Sequence, residues 1–271
     1  MGLSLLAGPA NAGKVALLLD RYLEAIDRDP FLVVPNGAEV ERIERDLLGR
    51  RGGLLGGSIG TFDDLFARVA RGRGGPAHQL VGASERQVVL ARAVTSARVD
   101  GLGGSLRSGG LVQELDAAIR EAEGALLEPH EVGGRLAPLY AAYRGELERL
   151  GVWDRELERR FAAELVASDL AAWDGRPVFA YGFEDLTGAQ WTLVEALAAR
   201  SDVLVSLPYE PGRAAFASLA RTAEDLARLA DGCVEELPAQ PWYDSPALAH
   251  LERTLFRHGG DPDPEGVPPL H

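Results

Sequence analysis

The stretch "LLAGPANAGKV", residues 5–15, constrains this chain more than any other. It fits the pattern G-x-x-x-x-G-K. Gly8 and Gly13 permit a tight curl, backbone N–H groups point inward, and a following helix adds the positive end of its dipole. Residues 3–7 are an apolar run that reads as a buried strand. From Lys14 the apolar residues recur at helical spacing. The loop therefore joins a strand to a helix, the setting in which a phosphate-binding loop is expected. Gly8, Pro9, Ala10, Asn11, Ala12, Gly13, Lys14 and Val15 are the expected nucleotide- or phosphate-binding residues. The plainer reading is a Gly-rich strand–helix turn with no ligand.

Two features bear on that choice. Lys14 is the only lysine in the chain, and the remainder of the 28 basic residues are arginines. Together with the high Ala, Gly and Leu content, this suggests a GC-rich genome in which Lys codons drift to Arg. Arg replaces Lys readily on a surface, but not where a compact ammonium on a flexible stem must reach phosphate. The second feature is Val15. The hydroxyl usual after this lysine ligates Mg²⁺, and Val offers no lone pair. Weak binding of ATP or phosphate is the expectation, without Mg²⁺ and with no cofactor required for folding.

The strand–helix alternation continues. "PFLVVP" (30–35) reads as a second buried strand and 37–50 as an amphipathic helix. Residues 56–70 read as a short strand to Gly60 and then a helix, capped by Thr61 or Asp63. This β-α-β-α-β-α order predicts an α/β fold with a parallel sheet. Residues 71–82 read as a Gly-rich loop. From 83 to 172 the periods are helical, with no convincing strand and with "GLGGSLRSGG" (101–110) as a mobile loop. Strand signals return at 176–183, 201–209 and "CVEEL". Helices are expected at 187–200, with Thr187 as N-cap, and in "AAFASLARTAEDLARLA". The expected division is 1–75 and 176–257 as two parts of one α/β domain, 76–175 as an all-α inserted subdomain, and 258–271 as a disordered tail.

A hydrolase also needs a carboxylate at a strand end. "VFAYGFEDLTGAQ" offers Glu184 and Asp185, with Gln190 beyond them, as candidate catalytic residues. The alternative is a polar turn that caps a helix. Thr61, Phe62 and Arg213 follow strand ends and are candidate contacts to phosphate or DNA, although such an Arg is commonly a solvated surface residue. His78, His130, His250, His258 and His271 lack metal-ligand spacing, so no metal site is expected. One cysteine, Cys233, excludes an internal disulfide or a Cys-only cluster. There is no Gly-x-Ser-x-Gly elbow.

A net charge of −13 argues against strong DNA binding by the whole surface but leaves room for a local basic groove. No run of 18 apolar residues occurs. The start lacks a basic n-region, and Leu6 stands where a myristoylation motif wants Ser or Thr. A cytoplasmic protein without a membrane partner is expected.

The order of these motifs resembles the first motor domain of UvrD-like superfamily one helicases. "GTFDDLFARV" is similar to the family's Thr-Phe motif near DNA. "YRGELERLGVWDREL" is similar to its Tyr, Gly and Asp segment in the helical subdomain. "GFEDLTGAQ" takes the place of the acidic helicase motif. The last feature resembles more closely the AddB-type chain of helicase–nucleases, of the PD-(D/E)XK nuclease family, whose N-terminal half is helicase-like without being an active motor. The resemblance covers about residues 1–257. It implies a P-loop NTPase-like (RecA-like) fold and an inactive module in double-strand-break repair. It also implies DNA and a helicase–nuclease partner subunit as partners. The family's nuclease and iron–sulfur cluster lie far C-terminal, so neither is expected within this chain. A stand-alone P-loop ATPase or kinase is the alternative.

Overall fold

Short, fully apolar runs become the central strands of a parallel sheet because such runs are buried on both faces. The computed structural model describes residues 2–53, 56–72, 78–97, 99, 109–169, 171–239 and 245–254. Residues 101–108 of the expected mobile loop, part of the Gly-rich loop (73–77) and the expected disordered tail lie outside the described residues; the last two residues of that mobile loop, Gly109 and Gly110, are instead the first of a helix. Contacts divide the chain into two compact units. One comprises Met1–Thr61, Gly175–Asp185 and Ala198–His271; the other comprises Phe62–Asp174 and Leu186–Leu197.

Among the described residues the first unit holds six strands: β1 (Gly2–Gly8), β2 (Phe31–Val33), β3 (Ser58–Gly60), β6 (Val178–Tyr181), β7 (Asp202–Pro208) and β8 (Val234–Glu236). Their order is β3-β2-β6-β7-β1-β8, with every pairing parallel. The chain is thus α/β, as the alternation predicts. Helices α1 (Lys14–Glu24) and α2 (Gly37–Arg51) share one core with the sheet. Leu18, Leu19 and Tyr22 of α1 and Ile43 and Leu47 of α2 pack with Leu6, Leu32, Phe179 and Leu204. The alternate residues Leu3, Leu5, Val178, Val203 and Val205 are buried too. Asn36 caps α2, its side-chain oxygen accepting from the Glu39 N–H at 3.0 Å. Helices α9 (Ala220–Leu229) and α10 (Pro246–Thr254) complete the unit. The helix expected across 214–230 opens instead with a 3₁₀ segment, Ala214–Leu219.

The second unit is built on α3 (Phe62–Arg71), α4 (Ala83–Ser96), α5 (Gly109–Gly124), α6 (Leu136–Leu150), α7 (Arg155–Ser168) and most of α8 (Gly188–Ala198). Val89, Leu90, Ile119, Leu139, Tyr140, Tyr143 and Leu147 form its core. The expectation of no strand within 83–172 needs a correction. Strand β5 (Val152–Trp153) pairs in parallel with β4 (Gln79–Leu80), inside the expected 71–82 loop. This two-stranded ladder is separate from the six-stranded sheet. Asp63 is also reassigned: it lies inside α3, where its carboxylate accepts from Arg155 at 2.5 Å and from Arg159 at 2.6 Å, so it joins α3 to α7 and does not cap.

A polar cluster lies within the second unit's core. Arg86 of α4 is 4% exposed, and each of its three guanidinium nitrogens donates to a different carboxylate. Nε donates to Asp116 at 2.6 Å, one terminal nitrogen donates to Glu123 at 3.2 Å, and the other donates to Asp154. The guanidinium also sits 4.8 Å from the ring centre of Tyr143. Among the described residues no helix is long and apolar enough to cross a membrane.

Candidate functional site

Strands β1 and β7 are neighbours, with Gly8 beside Pro208 at their carboxyl ends. The chain leaves them in opposite directions. From β1 it runs through α1 to β2, on the β3 side; from β7 it runs through α9 to β8, on the far side of β1. Open parallel sheets bind ligands at such a reversal, outside the carboxyl ends of the strands. Residues 9–13 and 209–213 both leave the sheet there.

The local sequence explains the loop's shape. A Cβ on Gly8 would lie 2.8 Å from the carbonyl oxygen of Leu237, so only glycine fits beside the end of β8. Gly13 caps α1 with φ 83°, a left-handed conformation natural to glycine. Asn11 has φ 58°, which Asn tolerates better than most residues. Tyr209 N–H donates to the Gly8 carbonyl at 3.0 Å, which ties the two loops together.

Lys14 is 8% exposed. Its ammonium donates to the carbonyl of Gly8 at 2.8 Å and to that of Pro9. Burial lowers its pKa from the ordinary lysine value. Val15, next in sequence, packs against the apolar core of the first unit. The first N–H groups of α1 have no partner within the helix, so an oxyanion fits the donors of this loop if the ammonium leaves its two carbonyls. Mg²⁺ does not fit at Val15, whose side chain has no donor atom. Among the described residues, no group of three or more His, Cys, Asp or Glu side chains could hold a metal ion.

The other candidates are placed as follows. Glu184 and Asp185 follow β6 and are exposed. Gln190 sits in a reciprocal cap: Thr187 N–H donates to its side-chain oxygen at 2.8 Å, and its own N–H donates to the Thr187 hydroxyl at 3.3 Å. Thr187 thus caps α8, as expected. Phe62 is buried and meets Phe66 at 6.4 Å between ring centres; Thr61 precedes it, half-buried. Arg213 is spent on carboxylates, pairing with Glu252 at 2.6 Å and Glu210 at 3.3 Å, and lies over the Phe216 ring. The structure therefore brings residues 8–15 together with the segment that carries Arg213, whose charge is already neutralised.

Sequence reasoning missed a cluster at the tip of β6. The Tyr181 hydroxyl donates to Glu39 at 2.5 Å, and Arg42 donates to the Tyr181 oxygen at 3.0 Å. Burial pushes the Tyr181 phenol up to about 12, and the hydrogen bond from Arg42 holds Glu39 below the usual carboxylate range. Glu39 and Arg42, three apart on α2, looked like an ordinary helix pair. No local signal paired them with a tyrosine 142 and 139 residues away. Neither models of known protein families nor curated proteins match this chain.

Proposed function

We propose that this chain is the inactive helicase-like module of an AddB-type protein of an ATP-dependent helicase–nuclease, with a degenerate nucleotide site. In this reading the first unit belongs to a RecA-like P-loop domain, and the second holds its helical insertion (76–175) together with α3 and most of α8. The module scaffolds the complex and lines the path of DNA during double-strand-break repair in the cytoplasm, alongside a helicase–nuclease partner subunit. The observation that carries the reading is the state of the loop: the ammonium of Lys14 is bonded to Gly8 and Pro9, and Val15 faces the core where a Mg²⁺-ligating hydroxyl would stand. The engagement of Gln190 in a helix cap supports it as well.

The test is steady-state ATP turnover by the purified chain, with and without single-stranded DNA. Loss of a Mg²⁺ ligand and of a water-activating carboxylate removes two contributions of about 10²-fold or more each, so turnover at background is expected. Robust Mg²⁺-dependent turnover abolished by Lys14→Ala would overturn the proposal in favour of a stand-alone P-loop ATPase or kinase.

A further inference from the structure

The three carboxylates around Arg86 are not equally provided for. Asp154 accepts from Arg86, from the Tyr143 hydroxyl at 2.6 Å and from the Leu157 N–H at 2.9 Å. Asp116 accepts from Arg86, from Gln87 at 3.1 Å and from Arg120 at 3.1 Å. Glu123 is 4% exposed; among the described residues it accepts from Arg86 alone, at 3.2 Å, and its buried Oε1 has no hydrogen-bond partner. Asp116 is half-buried and has Arg120 as well, which leaves the one guanidinium of Arg86 between two buried carboxylates, Glu123 and Asp154. Of the three, Glu123 is the anion with the fewest donors, and a buried charge without donors is the costliest to keep.

We propose that Glu123 carries the proton of a one-proton lock. Neutral, it lets Arg86 hold the end of α5 against α4 and the start of α7; ionised, it repels the neighbouring Asp154 and loosens that end of α5. The groups that face it divide by sign. Arg86 of α4 favours the anion. Asp154 and Glu156 at the start of α7 oppose it, and Tyr140 and Tyr143 of α6 add no positive charge. Burial, with Asp154 second, raises the carboxyl from 4.5 to about 8. The lock is also linked to α8. A Cβ on Gly188, the first residue of that helix, would lie 3.0 Å from the carbonyl oxygen of Gly124, so the residue after Glu123 supports the beginning of α8.

A carboxyl that keeps its proton in the fold and loses it in the unfolded chain stabilises the fold fully in acid. That contribution is lost as pH rises, and is gone above about pH 8. Chemical denaturation of the whole chain from pH 5.5 to 9, on wild type and on Glu123→Gln, tests this. The unfolding equilibrium constant of wild type, relative to the variant, should rise about tenfold per pH unit up to roughly pH 7.5 and then level off. A variant that keeps the wild-type pH dependence overturns the proposal. Should the variant not fold, carbonyl NMR of wild type labelled at Glu side chains decides. A Glu carboxyl resonance at the neutral-acid position at pH 7, moving to the carboxylate position by about pH 9, supports the lock; its absence at pH 7 overturns it.

Discussion

The hydroxyl of Tyr143 donates to Asp154 across 2.6 Å, and the other oxygen of that carboxylate receives the Leu157 N–H at 2.9 Å. One buried side chain thus caps α7, anchors α6 and takes part of the charge of Arg86. The segment "YRGELERLGVWDREL" owes its Tyr and Asp to this arrangement. Gly151 ends α6 in a left-handed turn at φ 65° and allows the chain to return.

Asp154→Ala should therefore cost far more than an ordinary cap. Removing one member of a buried ion pair costs about 3–5 kcal/mol, and the lost cap adds about 1 kcal/mol. Tyr143→Phe removes one hydrogen bond and should cost about 1–3 kcal/mol, because a buried acceptor loses a donor. Denaturant midpoints of the two variants check the ranking. Equal losses would mean that the tyrosine bond, not the ion pair, holds the cluster.

At the loop, ATP should bind more weakly than ~10 μM, and Mg²⁺ should change that affinity little. Anion binding there uses backbone N–H groups, the helix dipole and Lys14, none of which needs a hydroxyl at Val15. The ammonium must also exchange its two carbonyls for phosphate oxygens, which lowers the net gain. Calorimetry with and without Mg²⁺, on wild type and Lys14→Ala, is the measurement. Tight binding that requires Mg²⁺ would contradict the degenerate-site reading.

Gln190 offers a sharp comparison between capping and catalysis. Gln190→Ala should destabilise the chain by about 1 kcal/mol and leave any ATP affinity unchanged. A variant of wild-type stability with altered nucleotide binding would return Gln190 to the site.

Much of the sheet was legible because its inner strands are mainly apolar runs flanked by Gly or Pro, as at 3–7 and 30–35. The loop was legible because Gly8, Gly13 and Lys14 stand at a fixed spacing. Strands β4 and β5 were not, since two residues each leave no period to read. Arg213 looked available because its partner Glu252 lies 39 residues on, in helix α10, for which no helix was expected. The Arg86 cluster joins residues 86, 116, 123 and 154, and each looks like an ordinary surface charge on its own helix. Long-range charge pairing has no signature in local spacing.

Burial of the Lys14 ammonium has a practical consequence. With no second lysine in the chain, amine-acylating reagents find a single side-chain target, and it is masked by the carbonyls of Gly8 and Pro9. Apart from the α-amino group, incorporation of such a label would report only the moments when the loop opens. Its rate, followed by mass spectrometry, would be a clock for that motion, slowed by any anion that occupies the opened loop.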